Sequence, residues 1–126
     1  MIPAARVVIG AIVVALAAPA GTALGLGQST APRLIGTVGP RHTISLVDAH
    51  GQRVRTLRPG TYRFVIRDRS AHDNFHLLGP GITGLIGETG VSYRGTTVWK
   101  IRLVSGTYRF HSDAHQRSMR GSFRVT

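Results

Sequence analysis

An eight-residue pattern, Leu-x-x-Gly-Thr-Tyr-Arg-Phe, occurs twice in the chain, at residues 57–64 and again at residues 103–110. In both copies a turn at glycine leads into a segment where apolar and polar residues alternate, and this period of two is typical of a β-strand with one buried face. A tandem-repeat solenoid needs at least three copies. Two equivalent strands, one in each sheet of a β-sandwich, explain the pattern better, and they would deliver the loops that follow them to the same end of the sandwich.

The rest of the chain also favours strands over helices. Three more segments alternate apolar and polar residues, at residues 43–47, 98–104 and 121–125. Beyond the N-terminal region no stretch of ten residues has a helical period. We therefore predict an all-β fold, a β-sandwich that spans residues 41–126. Residues 24–40 are rich in Gly, Thr and Pro, which predicts a flexible tether or an edge strand.

Residues 1–23 have the pattern of a secretory signal peptide. Arg6 is followed by an apolar run from Val7 to Ala18 and then by small residues that end at Ala20 or Ala23; these are the charged, apolar and cleavage regions of such a signal. The run is too short for a comfortable transmembrane span, so membrane contact is expected only if the segment stays uncleaved. We predict a secreted, cell-surface or periplasmic protein of one domain, and since the chain has no Cys, no disulfide supports it.

The charge of the chain is strongly positive. Fifteen Arg and one Lys stand against five acidic residues, which gives a formal net charge of +11. Such a field attracts acidic partners, and we expect an acidic redox partner or an acidic surface partner. The arginines are spread over alternating strand positions, as at Arg63 and Arg67, and this spacing is typical of the solvated face of a sheet. We predict no nucleic-acid function.

With the strands placed, residues 55–126 resemble the cupredoxin family of small secreted blue-copper proteins. Members share, in order, Pro-Gly-x-Tyr-x-Phe, Asp-x-Ser, His-Asn-Phe-His-Leu, Gly-Pro-Gly, Gly-Thr with a Trp-containing strand, and Gly-x-Tyr-x-Phe-x-Cys-x-x-His. The matching residues here are Pro59-Gly60-Thr61-Tyr62-Arg63-Phe64, Asp68-Arg69-Ser70, Asn74-Phe75-His76-Leu77, Gly79-Pro80-Gly81, Gly95-Thr96, Trp99 and Gly106-Thr107-Tyr108-Arg109-Phe110. The resemblance implies a Greek-key β-sandwich of the cupredoxin type, with copper as its cofactor.

Two of the copper ligands that the resemblance implies are replaced. His115 and Met119 stand where the family has its second His and its Met, but Ser112 stands where the family has Cys. Asp73 stands where the family has its first His, and His72 is displaced one residue upstream. The thiolate of a His2Cys site supplies the colour and the electronic coupling of blue copper, so the loss of Cys argues against a blue electron carrier.

Copper binding of another kind stays possible. Imidazole is a good ligand for Cu(II), and the thioether of Met favours Cu(I). We predict a degenerate, non-blue copper site centred on His115 and Met119, with help from His76 or His72, in a monomer that serves copper handling or vestigial electron transfer. His111 lies in the same two segments, and oxygen ligands could come from Asp73 and Asp113.

Each of these residues also has a structural interpretation. Met119 would then fill the end of the sandwich, and His76 and His111 would be surface residues. His42 and His50 lie next to turn residues without a partner motif, and we expect both on the surface.

The sequence also bears on two other functional classes. A metal-free sandwich could act as an interaction module, with its Arg-rich face against an acidic partner or a cell-wall polymer. An enzyme is not predicted. The residue types of a hydrolytic triad are present at Ser112, Asp113 and His115. A strand end followed by a short loop, however, offers neither a strained nucleophile elbow nor a separate oxyanion hole.

Overall fold

The computed structural model describes residues 30–82 and 87–126. The expected signal segment and residues 24–29 of the expected tether lie outside this part. The described residues form eight strands and no α-helix, and none of them lies in a helix long and apolar enough to cross a membrane. The strands are β1 (Arg33–Val38), β2 (Ile44–Asp48), β3 (Thr56–Leu57), β4 (Gly60–Asp68), β5 (His76–Leu78), β6 (Gly95–Leu103), β7 (Gly106–His111) and β8 (Arg120–Val125).

Two four-stranded sheets face each other across the core. The first has the order β2-β1-β4-β6 and the second has the order β3-β8-β7-β5. Both sheets are mixed, because β1 pairs in parallel with β4 and β3 pairs in parallel with β8. The predicted all-β sandwich is confirmed.

Strand β1 differs from the expected tether or edge strand. It lies inside its sheet, between β2 and β4. Its buried residues alternate as Leu34, Gly36 and Val38, and a Cβ atom at Gly36 would lie 2.8 Å from both the Ile66 and the Phe75 side chains. The sequence pattern hid this strand because its central inward position has no room for a side chain and is therefore glycine.

The core follows the predicted alternation of strand faces. On β4 the inward residues are Tyr62, Phe64 and Ile66, all buried. Ile101 and Leu103 of β6 are also buried, and Trp99 packs against the same cluster. Alternate burial along a strand is what fixes its register, since a slip of one residue would move the whole apolar set to solvent.

The repeated sequence pattern corresponds to two equivalent tyrosine contacts. Tyr62 begins the buried face of β4 in the first sheet, and its hydroxyl donates to the carbonyl of Arg58 at 2.8 Å. Tyr108 of β7 in the second sheet donates to the carbonyl of Val104 at 2.9 Å. A tyrosine that bonds the backbone a few residues upstream is a known corner device of β-sandwiches. The repeat thus marks the same structural position in each sheet.

The loops that follow β4 and β7 meet at one end of the sandwich. The N–H of Asn74, beyond β4, donates to Oγ of Ser112, directly after β7, at 3.3 Å. This contact joins residues 38 positions apart in the sequence. It places the two segments that carry the candidate ligands side by side, as predicted.

Candidate metal centre

The Asp73 carboxylate lies at the centre of a polar cluster where these loops meet. Asp73 is fully buried. Its Oδ1 accepts a hydrogen bond from Ser112 Oγ at 2.9 Å and lies 2.6 Å from Nδ1 of His115. Its Oδ2 lies 3.2 Å from Nδ1 of His42 and accepts a bond from Ser70 Oγ at 3.3 Å. Every oxygen of this buried group therefore has partners, as a buried carboxylate requires.

These partners keep Asp73 ionised. Burial raises the pKa of the Asp73 carboxyl, but the hydrogen bonds from His115, Ser112 and His42 outweigh it, and the pKa lies below its ordinary value. The cluster therefore combines an anionic carboxylate with two imidazoles.

The two histidines of this cluster form its open side. The side chain of His115 is 38% exposed and that of His42 is 62% exposed, whereas Asp73 has no exposure. The two rings lie 4.3 Å apart between centroids. One ligand atom from each of His42, Asp73 and His115 lies within 4.8 Å of the others, so the three side chains could hold one metal ion. We call these three residues the Asp73 group.

Met119 closes the loop that carries Ser112 and His115. Its backbone N–H donates to the carbonyl of His115 at 2.9 Å, and its carbonyl accepts from the N–H of Ser112 at 3.0 Å. Its side chain is buried. The segment from Ser112 to Met119 is thus tied into a short loop.

A second cluster lies beside the first. Oδ1 of Asp113 is 2.9 Å from Nδ1 of His76 and 3.0 Å from Nε2 of His111. Burial raises the pKa of Asp113, but the hydrogen bonds from His76, Asn74 and His111 together outweigh burial. The pKa of Asp113 therefore lies below the ordinary value. His76 contacts this cluster, so the structure does not bring it into the Asp73 group, where we had expected it to assist His115.

Asn74 ties the two clusters to the sandwich. Its side chain is buried, and Nδ2 donates to the carbonyl of Thr89 at 2.9 Å and to Oδ2 of Asp113 at 2.8 Å. Its Oδ1 accepts the backbone N–H of Asp113 at 2.7 Å. Because the same residue donates its own N–H to Ser112, it fixes the spacing of the two loops.

The candidate residues are thus divided. Asp73, Ser112 and His115 come together, and Met119 lies on the same loop. His72 belongs to neither cluster; its backbone N–H donates to Ser70 Oγ and the residue is exposed. His72 lies in a bend after β4, where its backbone is tied to Ser70, whereas the Asp73 carboxylate faces the buried end of the sandwich.

His42 is the residue that sequence reasoning missed. We expected it on the surface, and its ring is indeed largely exposed, but Nδ1 faces Asp73. The contact spans 31 positions and comes from the loop between β1 and β2. This loop reaches the site because β1 lies next to β4, and no sequence pattern predicts that pairing.

The hydroxyl of Ser112 is not arranged as a nucleophile. It donates to Asp73, whereas a hydrolytic triad requires the serine to donate to the histidine. Ser112 is also fully buried. The geometry of this cluster therefore favours holding a cation over acyl transfer.

Solved structures with a similar fold include the copper protein rusticyanin, a cupredoxin. Reduced rusticyanin gives a TM-score of 0.54 at 18% sequence identity, over 75% of this chain and 78% of the rusticyanin chain. A second rusticyanin structure gives a TM-score of 0.54 at 17% identity, over 75% of this chain and 76% of that one. No protein-family model matches the sequence, and no curated protein is significantly similar to it. The chain has the cupredoxin fold, as its sequence motifs predicted.

Proposed function

We propose that this protein binds copper through a rearranged site made of His42, Asp73 and His115, with Met119 on the same loop. The buried Asp73 carboxylate is the observation that carries this function, because it lies within 3.2 Å of an imidazole nitrogen from each of the two histidines. The likeness of the fold to that of a copper protein supports the choice of metal.

The donor set of the Asp73 group fits copper. Imidazole nitrogen and carboxylate oxygen suit Cu(II), and a thioether suits Cu(I). Asp73 supplies the negative charge, and Ser112 holds its Oδ1 by a hydrogen bond, as groups behind a metal ligand commonly do. When bound, copper would supply a redox-active cation, but without a thiolate the site lacks the ligand that couples blue copper to a partner.

Storage or transfer of copper follows from this arrangement better than electron transfer. The carboxylate is buried while both imidazoles reach solvent, so an ion could enter and leave on the imidazole side without opening the core. An electron carrier gains from a rigid, enclosed ligand set, which this open pair of histidines does not provide.

A Cu(II) titration followed by electron paramagnetic resonance tests the site. The full chain should give a stoichiometric signal of non-blue type, with nitrogen hyperfine structure that weakens in His115→Ala and in His42→Ala. A His111→Asn background removes a ligand of the neighbouring cluster, so that the signal reports on the Asp73 group. His72→Ala is the matched control, because His72 is exposed and lies in neither cluster.

Two results would contradict copper binding here. One is the absence of saturable Cu(II) binding in the His111→Asn background. The other is a signal that changes in His72→Ala as much as in His115→Ala, since this would place the ion outside the Asp73 group.

A basic groove beside the site favours a second function, the docking of an acidic partner. The groove has a volume of about 350 Å³ and is lined by Pro40, Arg41, His42, Arg69, Ser70, Ala71, His72 and Arg94. Three arginines next to His42 would attract an acidic surface and bring it to the exposed side of the Asp73 group. Binding to an acidic partner should then weaken with added salt and in Arg69→Gln, whereas Arg55→Gln, outside the groove, should leave it unchanged.

We also infer that the protein is exported and acts as a monomer. The signal-peptide pattern of residues 1–23 supports export. N-terminal sequencing of protein recovered from outside the cytoplasm should begin after Ala20 or Ala23. Recovery of a chain that begins at Met1 would show that the segment is not cleaved.

A further inference from the structure

We propose that His76, His111 and Asp113 form a second metal site, which takes Zn²⁺ and shares no residue with the Asp73 group. The site lies at the edge of the second sheet, where β5 pairs with β7. It does not depend on copper binding at Asp73.

Sheet register brings the two histidines together. His76 and His111 are direct partners across β5 and β7, and their ring centroids lie 5.2 Å apart. Their neighbours Leu77 and Phe110 are buried in the core, so the alternation of faces turns both imidazoles outward. The two side chains are only 24% and 16% exposed, which leaves them partly sheltered from water.

Asp113 is held in position as a metal ligand would be. Its Oδ1 faces both imidazoles, at 2.9 Å from His76 and 3.0 Å from His111. Its Oδ2 accepts from the buried Asn74 side chain, which in turn accepts the backbone N–H of Asp113. Support of this kind, from a residue that does not itself contact the ion, sets the orientation of ligands in metal sites.

Glu88 brings a second carboxylate near His76 from the other side of β5. Its backbone bridges that of His76, and its Oε2 lies 3.5 Å from Nδ1 of His76. The two imidazole nitrogens and the Asp113 carboxylate oxygen are ligand types that Zn²⁺ accepts, and three protein ligands with water in the fourth position make a tetrahedral zinc site. The two carboxylates would also balance the charge of the ion.

The scarcity of acidic residues makes this clustering informative. The chain has five Asp and Glu residues and six His residues in all. Three of those acids, Asp73, Glu88 and Asp113, contact imidazoles within 3.5 Å. The chain has a net charge of +11 and more than twice as many Arg as His. Carboxylates that only formed surface ion pairs would therefore contact arginine far more often than histidine.

A zinc titration of the full chain, in a His115→Ala background that disables the Asp73 group, tests this site. Isothermal titration calorimetry with Zn²⁺ should give one equivalent of bound ion. We expect affinity to fall by about 100-fold or more in His111→Asn and in Asp113→Asn, and by about 10-fold in Glu88→Gln, which removes the negative charge beside His76. His50→Asn is the matched control and should bind as its parent does.

Nuclear magnetic resonance gives a second readout that needs no substitution at the zinc site itself. In the His115→Ala protein, imidazole signals of His76 and His111 should shift with the first equivalent of Zn²⁺, while those of His50 and His72 stay unchanged. Zinc binding that survives both His111→Asn and Asp113→Asn would overturn the site. So would the absence of any zinc equivalent in the His115→Ala protein.

Discussion

Ser112 donates a hydrogen bond of 2.9 Å to Asp73, and both side chains are fully buried. These are the two positions at which the sequence departs from the cupredoxin pattern, so the two departures contact each other. A hydroxyl is a suitable partner for a buried carboxylate because it donates a proton and carries no charge. A thiolate in its place would put two negative charges side by side at a buried position, which is unfavourable.

The first prediction is that the two replacements are coupled. Asp73→His with Ser112→Cys should produce an intense visible charge-transfer band with Cu(II), because it restores imidazole and thiolate beside His115. Ser112→Cys alone should give a weaker band, since the thiol would then lie against the Asp73 carboxylate. Visible absorption spectra of the four proteins of the cycle measure this. A single Ser112→Cys variant as intensely coloured as the double variant would refute the coupling.

Five of the eight strands of the described residues, β2, β4, β6, β7 and β8, and their buried faces could be predicted from the sequence, and the reason is local. The repeated Gly-Thr-Tyr-Arg-Phe segments carry their own alternation, and each keeps the same tyrosine contact in the structure. Strand β1 could not be placed, because Gly36 fills its central inward position and weakens the alternation.

The two polar clusters were only partly predictable, because they depend on register and topology. The frame of Ser112, His115 and Met119 lies on one loop and could be found in the sequence. His42 comes from a distant loop, and its contact with Asp73 exists only because β1 lies beside β4. The pairing of His76 with His111 follows from the register of β5 on β7, which no local pattern specifies.

The second prediction concerns the pH dependence of stability through Asp68. This residue is 2% exposed, and burial raises the pKa of its carboxyl above the ordinary value, although the Ser70 N–H and the Thr89 hydroxyl partly oppose the shift. The folded state therefore holds the Asp68 proton more tightly than the unfolded state. This contribution to stability is fully present below the unfolded pKa of about 3.9 and is lost as pH rises through the folded pKa.

The substitution Asp68→Asn should remove the loss of stability that Asp68 causes as the pH rises. Relative to the parent, the variant should become progressively more stable as the pH rises from about 3.9, the unfolded pKa, through the folded pKa, as followed by urea unfolding. Asp48→Asn is a control of opposite sign, because the backbone N–H of Gln52 lowers the pKa of Asp48. Asp48→Asn should lose stability relative to the parent as the pH rises from below the folded pKa of Asp48 to about 3.9, the unfolded pKa, and the difference should stay level above that pH. Parallel slopes for the two variants would contradict the assignment.

The third prediction is that Gly121→Ala destabilises the second sheet. Gly121 of β8 lies opposite Phe110 of β7, and an added Cβ atom would overlap the Phe110 ring. That ring cannot move freely, because it stacks on Phe75 with centroids 5.2 Å apart. Overpacking of this kind costs about 1–3 kcal/mol of unfolding free energy.

Chemical denaturation of Gly121→Ala measures this cost. Gly90→Ala is the matched control, because the nearest atom to its added Cβ, in Tyr93, lies at an ordinary 3.9 Å. If the ring is the cause, Phe110→Leu should cost less in the Gly121→Ala protein than in the parent. Equal costs in the two backgrounds would show that the Phe110 ring is not what Gly121 accommodates.

The last prediction compares the two tyrosine corners. Tyr62→Phe removes one hydrogen bond to the carbonyl of Arg58 from a side chain at the edge of the core, and this should cost about 0.5–1.5 kcal/mol. The Tyr108 hydroxyl has more polar partners than that of Tyr62, because it also accepts the N–H of Val104 at 3.0 Å and lies 3.1 Å from the carbonyl of Pro80. Tyr108→Phe leaves several of these groups without a partner and should cost about 1–3 kcal/mol. Urea unfolding of the two variants and of the double variant separates the corners, and since they lie in different sheets, their costs should add. A larger cost for Tyr62→Phe than for Tyr108→Phe would mean that the number of partners does not decide the strength of this corner.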